Sequence, residues 1–517
     1  MPELRGHLID ETQRPAGYAW LVQKHDLKAP LRRISVVASG RIKEERRNHD
    51  ATTIYDKRFW PGDSDVEHLD FAMRHEPIDL LLLKKAFEAV DPAELAAFVA
   101  KSPFAISTRR LWYAYEWLTD SRLPLPDIAT SVNYVDMLDP ESYYTLAEGR
   151  TSKRHRIRDN FPGTREFCPI ARRAEATEGA AALSAAARKV VAEADPNTVR
   201  RAAAFLLLAD SKSSFEIEGE HPPQDRIQRW GKAIGKAGHQ PLSVDLLDGL
   251  QKEIIDPAKS SIQLGLRTSG VWIGDRDREY NPRPDFIGAR PEDLDSLMGG
   301  LVAYDRMLAF ERGFNPIVHA AGLAFGFVYV HPYQDGNGRL HRYLINHALA
   351  EDEFSPKGVV LPISKEILNN IGEYSELLRG RTGPLLDYVE WRIDEHRNVV
   401  VVNDTADLYR YPDVTEEAAF MAKCLGATIA HDLPQEISFL ESYDAAVRDV
   451  AAVVDMPNNR MSLLVMQTLN NKGVVPKKRR KSEYKELTDD EVERIEAAVR
   501  RAFDLDEPPE PAAAPAP

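Results

Sequence analysis

Residues 315–330 read NPIVHAAGLAFGFVYV, a stretch of helical length with almost no polar face. A helix that is apolar all round has no side to show water and must lie inside other elements. This stretch therefore predicts the centre of a mainly helical domain. His331-Pro332 ends it, because proline disfavours helical backbone in the residue before it. The next residues, HPYQDGNGRLHR (331–342), bring a histidine, an aspartate, Gly-Asn-Gly and two arginines to the end of that buried helix. A second helix is expected to start around Gly338-Arg339 and run through LHRYLINHALAED, with Asn337 as its cap. The unit is helix, tight loop, helix.

Its chemistry follows from that geometry. Gly336 and Gly338 let backbone N–H groups turn inward and approach an anion. The new helix adds its unpaired N–H groups and positive end at the same place. Arg339 and Arg342 are three apart and share a face of the first turn. Two forked cations beside such a cradle suit a polyphosphate better than a lone carboxylate. Asp335 can hold Mg²⁺, a hard ion that bridges protein and phosphate oxygens. A neutral His331 can take the proton of a hydroxyl as it meets a phosphate. The set suits phosphoryl or nucleotidyl transfer. The competing arrangement is a metal site built from His331, Asp335, His341 and His347. It lacks a recognised ligand spacing, and arginines beside a metal cation repel it.

With 517 residues the chain is long enough for two to four domains. Its 43% hydrophobic and 29% charged residues describe a soluble globular protein, and the net charge of −14 argues against broad nucleic-acid binding. No apolar run reaches the roughly 20 residues needed to span a bilayer, and MPELRGHLIDETQR lacks a signal-peptide core. Cys168 and Cys424 alone make no disulfide framework. The expectation is a cytoplasmic protein with no membrane partner. Residues 1–165 form an N-terminal domain of short elements, with helices over 78–90, 92–103 and 108–120 and Trp112, Tyr115 and Trp117 as core. SKRHRIRDNFPG (152–163) is expected to be a solvated connector and 170–195 an alanine-rich linker. Residues 166–400 form the central domain, with a helix over about 197–219 and a β-hairpin within 267–284. The C-terminal region, 401–504, is helical. Its RMSLLVMQTLNNKGVVPKKRRKSEYKEL is either a small extension packed on the core or the helix, turn and basic wing of a winged-helix module. A flexible tail follows at 505–517.

HPYQDGNGRLHR resembles the Fic-family signature, His-Pro-Phe-x-Asp/Glu-Gly-Asn-Gly-Arg-x-x-Arg. Every chemical position is present, and Tyr333 replaces the usual Phe, keeping an aromatic to pack under the loop. The resemblance implies a Fic-type helical bundle with a β-hairpin flap, and a protein adenylyltransferase that moves AMP from ATP to a Ser, Thr or Tyr hydroxyl and releases pyrophosphate. It implies His331 as general base, Asp335 as Mg²⁺ ligand, Gly336, Asn337 and Gly338 as phosphate binders, and Arg339 and Arg342 as holders of the β and γ phosphates. VWIGDRDREYNPRP (271–284) resembles the family's target-binding flap, with Trp272, Ile273, Gly274 and Tyr280 as its marks. Tyr374, in NNIGEYSELL, falls where relatives carry a Tyr-Tyr pair beside the adenine, with Ser375 in the second place here.

SSFEIEGE (213–220) fits the family's inhibitory pattern, Ser/Thr-x-x-x-Glu-Gly/Asn, through Ser214, Glu218 and Gly219. Ser214 and Glu218 lie four apart and share a helix face. A docked helix would let Glu218 pair with Arg342 and obstruct the place of an ATP γ-phosphate. Glu216, Glu218 and Glu220 as solvated charges are the plain alternative. The expected function is thus an autoinhibited adenylyltransferase using ATP and Mg²⁺ on a protein target, with a homo-oligomer compatible. The alternatives are a deAMPylating enzyme or a non-enzymatic nucleotide-sensing regulator whose C-terminal module binds DNA.

Overall fold

The computed structural model describes residues 3–505 apart from 43–45, 50, 130, 256–261, 310 and 312. It is mainly helical with small sheets, as the sequence predicts. The N-terminal region carries a four-stranded sheet in the order Gln13–Ala16, Ile34–Ala38, Thr52–Tyr55, Arg46–His49; the second and third strands run parallel. Helices Asp65–His75, Leu80–Ala89, Pro92–Lys101 and Ile106–Thr119 follow. Trp112 and Tyr115 are buried, and Trp117 packs on the same core.

Two segments depart from expectation. The basic stretch 152–163 is not a solvated connector. Ile157–Asp159 pairs with Val135–Asp136 and Arg150–Ser152, His155 is buried, and Arg154 reaches Glu116 at 3.0 Å. The carboxylate on the facing helix gives these cations a reason to turn inward. The alanine-rich 170–195 is largely the helix Ala180–Glu193, in keeping with alanine's rank as the strongest helix former.

The central domain is built from α1 (Pro196–Ile217), α2 (Val244–Ile254), the hairpin β1 (Trp272–Arg276) and β2 (Pro282–Ile287), α3 (Leu294–Leu308), α4 (Pro316–Val330), α5 (Asn337–Glu351) and α6 (Ile371–Leu386). α1 starts one residue before Asn197, capped by Asp195, whose carboxylate accepts from the N–H groups of Asn197 (2.9 Å) and Thr198 (3.2 Å). Every residue of α4 except Pro316 and Val328 is buried, so the all-apolar helix lies at the centre. One hydrophobic core runs from Ile9 to Leu440, across the N-terminal region, the central domain and the first part of the C-terminal region.

A second, small core joins the end of helix Leu433–Ala451 to helices Asn458–Asn470 and Asp489–Ala502. KKRRK lies in a short helix, Lys477–Ser482. No strand forms among the described residues 402–505, so the helical extension is what folds and no wing is built. The expected tail lies outside the described residues from 506 onward. Among the described residues, no helix is long and apolar enough to cross a membrane. Cys168 and Cys424 are both buried and unpaired.

Candidate active site

α4 delivers His331 at its C-terminal end, and His331 itself caps the helix with φ of 54°. That left-handed backbone is rare for a residue with a Cβ and needs support from its surroundings. Arg267 supplies it. Its buried guanidinium donates to the carbonyls of His331 (2.8 Å), Ser269 (2.8 Å) and Ala289, and its backbone N–H donates to Pro332 at 3.0 Å. The His331 ring is half-buried, and its Nδ1 lies 3.2 Å from the Val328 carbonyl. A carbonyl only accepts, so Nδ1 carries the proton and Nε2 keeps its lone pair. Burial, then the positive charge of Arg267, pull the imidazole down to about 4. It is a neutral base at physiological pH.

The loop turns through Gly336, whose φ of 97° suits a residue without a side chain. Gly336, not Asn337, stands at the N-terminus of α5. Asn337 is the first helical residue. Its carboxamide grips the Tyr333 peptide on both sides, accepting from N–H at 3.0 Å and donating to C=O at 2.8 Å. Tyr333 is buried under the loop, and the hydroxyl that distinguishes it from Phe donates to Asp248 at 2.7 Å. Gln251 donates to the Asp335 carbonyl at 3.1 Å. α2 thus braces the loop from below through Asp248 and Gln251.

Asp335 is partly exposed and its carboxylate lies 2.9 Å from Arg339. Arg339 and Arg342 are both buried, at 2% and 1% exposure, and both face the α1 segment. Arg342 donates from Nε to the Ser214 hydroxyl (2.9 Å) and from Nη2 to the Ser214 carbonyl (2.7 Å) and Glu218 Oε1 (2.8 Å). Its Nη1 is buried without a hydrogen-bond partner among the described residues. Arg339 reaches Glu220 at 3.0 Å. Burial raises the Glu218 carboxyl, but the charge and hydrogen bond of Arg342, with the charges of Arg339 and His331, together hold the group below its ordinary value. The carboxylate also crowds Gly338. A Cβ there would sit 2.0 Å from Glu218 Oε1, so only glycine lets the acid lie against the first turn of α5. Gly219 follows in left-handed backbone and turns the chain away.

The structure brings the 331–342 loop together with Ser214, Glu218 and Gly219, while the flap residues Ile273 and Tyr280 stand exposed. Tyr374 is buried beside Arg342, among Phe325, His341 and Phe420 at ring distances of 6.0–6.3 Å. On the flap, Trp272 Nε1 donates to Asn398 at 3.0 Å, tying β1 to a second hairpin, Trp391–Ile393 with Val399–Val401. Ile273 and Tyr280 are exposed, and the register shifts between Ile273 and Gly274. Phe286 of β2 packs on the His331 ring, centroids 5.4 Å apart.

The competing metal set does not assemble. His341 turns Nδ1 to the Ala324 carbonyl at 2.8 Å, and His347 joins a separate cluster with Asp305 and Glu351. There the Gly238 N–H donates to His347 Nδ1 at 3.2 Å. The proton of a neutral ring must then sit on Nε2, which faces the two acids as a donor rather than a metal ligand.

Sequence reasoning missed four supporting residues. Glu220 pairs with Arg339 rather than with water. Asp248 and Gln251 carried no signal beyond a helical pattern. Arg267 stood in the hairpin's approach without a motif, although a lone arginine before Thr-Ser-Gly offers a donor fork beside exposed carbonyls.

A helical domain whose central buried helix ends in a histidine, with an anion-sized loop beside it and a hairpin over it, defines a class. The Fic/DOC family model matches residues 241–349. A Fido domain-containing protein of Dictyostelium discoideum is 30% identical over 140 residues, 26% of this chain and 90% of that protein. The chain belongs to the Fic/DOC family. Protein adenylyltransferase fic-1 of Caenorhabditis briggsae is 28% identical over 126 residues, covering 24% of this chain and only 22% of that relative. Among solved structures, a Fic family protein from Desulfovibrio desulfuricans aligns with a TM-score of 0.37 at 16% identity, covering 58% of this chain and 88% of the other. A Fic domain containing signaling protein from Bacteroides thetaiotaomicron aligns with a TM-score of 0.35 at 18% identity, covering 50% and 96%.

Proposed function

We propose that this protein is an adenylyltransferase that moves AMP from ATP to a hydroxyl of a protein target and is held inactive by its own α1. The observation that carries the reading is the buried pair between Arg342 and Glu218, set against Gly338 at the N-terminus of α5. The Glu218 carboxylate lies against the first turn of α5 and on the buried Arg342. An anion belongs there. When the anion is the protein's own, a triphosphate must displace it.

The chemistry follows from the residues. The target hydroxyl oxygen bonds to the α-phosphorus while the bond to the departing pyrophosphate breaks. His331 Nε2 takes the hydroxyl proton, its tautomer set by Val328. The α5 N–H groups and the two arginines stabilise charge on the phosphates. Asp335 is the only carboxylate of the 331–342 loop, a hard oxygen donor at a partly exposed position. It fits a Mg²⁺ ion whose other ligands are phosphate oxygens and water. Such an ion would neutralise phosphate charge. The exposed Ile273 and the hairpin backbone near His331 would hold the target as an added strand.

Incubation with ATP labelled on the α-phosphate, and separately on the γ-phosphate, tests the reading. Only the α-label should enter protein, weakly for the native chain and strongly for Glu218→Gly, and His331→Ala should abolish it. Incorporation of the γ-label instead, or equal labelling of native and Glu218→Gly protein, would refute the proposal.

A further inference from the structure

A cleft of about 720 Å³ that no residue of the His331 loop lines lies between the N-terminal region and residues of the central and C-terminal regions. Its walls come from the strands around Arg32 and Ser35, the segment Glu76–Leu82, α6, and the Tyr411–Asp413 turn. Tyr18, Tyr55, Tyr143 and Leu385 give it apolar and aromatic surface. This volume suits a small organic molecule rather than a single ion.

The charges on its walls are unevenly satisfied. Of the five acids, four have partners, and the Glu416 side chain has no hydrogen bond or ion pair among the described residues. Glu76 accepts from the Tyr18 N–H at 2.8 Å, Asp79 from the Leu82 N–H at 2.9 Å, and Asp413 from the Thr415 N–H at 3.0 Å. Asp139 accepts from the Glu141 N–H at 3.1 Å and the Ser142 hydroxyl at 2.9 Å. Among the cations, Arg74 is paired with Asp70 at 2.7 Å, and Arg110 donates to the Asp136 carbonyl at 2.8 Å. Arg381 is different. It is 8% exposed, lines the cleft, and makes no hydrogen bond or ion pair among the described residues. Glu417, whose charge reaches it, instead accepts from the Tyr329 hydroxyl at 2.7 Å. Arg32, on the same wall, is likewise without a hydrogen bond or ion pair among the described residues. Burial and then the charge of Arg32 pull the Arg381 guanidinium below its ordinary value; the charges of Glu417 and Asp79 act the other way without outweighing them, and neither carboxylate reaches Arg381 in an ion pair or hydrogen bond.

A nine-tenths-buried guanidinium without a partner is costly, and a second cation beside it makes it costlier. A carboxylate or phosphate removes both penalties, because it fits a guanidinium fork. We propose that this cleft binds a small organic anion whose carboxylate or phosphate group is held between Arg381 and Arg32. Hydroxyl or amide groups on its body meet the Tyr and Ser side chains of the walls. This site is independent of the adenylyltransferase reading.

The test uses the full chain and three probes: citrate, glucose 6-phosphate and inorganic phosphate. Thermal melts are run at matched ionic strength, with glucose as a neutral control. At least one of the two organic anions should raise Tm saturably while glucose does not. Arg381→Met and the exposed-side variant Arg32→Ala should each weaken the apparent affinity at least about tenfold, which is about 1.4 kcal/mol. Arg342→Ala, in the phosphate cradle, should leave the shift in place. The proposal is overturned if neither organic anion gives a saturable shift. It is equally overturned if the shift survives both cleft substitutions or disappears with Arg342→Ala.

Discussion

His331 shows how one residue can be read for its role. The tautomer follows from an acceptor-only neighbour, and the low pKa from burial beside Arg267. In a Glu218→Gly background the labelling rate should stay level between about pH 6 and 8 and fall only near pH 4–5. Removing Glu218 takes away a charge that raises His331, which moves the acid limb further down. An acid limb near the ordinary imidazole value would contradict this. His319 runs the other way. Burial alone would lower it, but Asp305 and Asp352, the latter 2.9 Å from Nδ1, raise it to about 9. A raised folded pKa gives stability that is complete below about pH 6.5, the unfolded value, and is lost as pH rises through about 9. Tm should therefore fall across that window, and His319→Asn should flatten the fall. Tyr333→Phe restores the usual aromatic of the signature but deletes the bond to Asp248. Urea unfolding should show a loss of about 1–2 kcal/mol.

The elements around the site act as braces. α2 supports the loop, and Arg267 ties the end of α4 to the approach of the hairpin. Arg267→Met, in the Glu218→Gly background, should lower kcat for labelling about tenfold or more while ATP affinity changes less than about threefold. Equal losses in both would make Arg267 a binding residue instead of a positioning one. This level was only partly legible from sequence. The all-apolar α4, the loop and α5 were readable, because periodicity, Pro332 and the glycines each have a direct physical meaning. The start of α5 was misplaced by a residue, since Asn337 had a better use gripping the Tyr333 peptide than capping. Arg267, Asp248 and Gln251 were not readable. Their roles depend on carbonyls and hydroxyls brought together by tertiary packing, which leaves no local spacing.

Across the whole molecule, the N-terminal region, the central domain and residues up to Leu440 of the C-terminal region share one core. Lys85 of the first pairs with Asp407 of the third at 2.9 Å, and the Cys168 N–H of the second donates to the Arg410 carbonyl of the third at 2.8 Å. Sequence composition shows no such continuity, because a shared core leaves no linker to find. Deleting residues 1–165 should yield aggregated protein. Deleting residues 456–517, which contribute most of a separate small core, should leave a cooperative melt and a soluble chain. Size exclusion and circular dichroism check both outcomes. The basic helix Lys477–Ser482 was the harder segment to read. Its cations find Glu483 and Asp489 in the fold, which a run of like charges does not announce.

The central claim is that Glu218 sits where the terminal phosphate of ATP must lie. Calorimetric titration of the native chain and of Glu218→Gly with Mg²⁺–ATP and with AMP measures it directly. The account predicts that Glu218→Gly binds ATP about tenfold more tightly or better, while AMP affinity moves less than about twofold. An unchanged ATP affinity, or an equal gain for AMP, would contradict it.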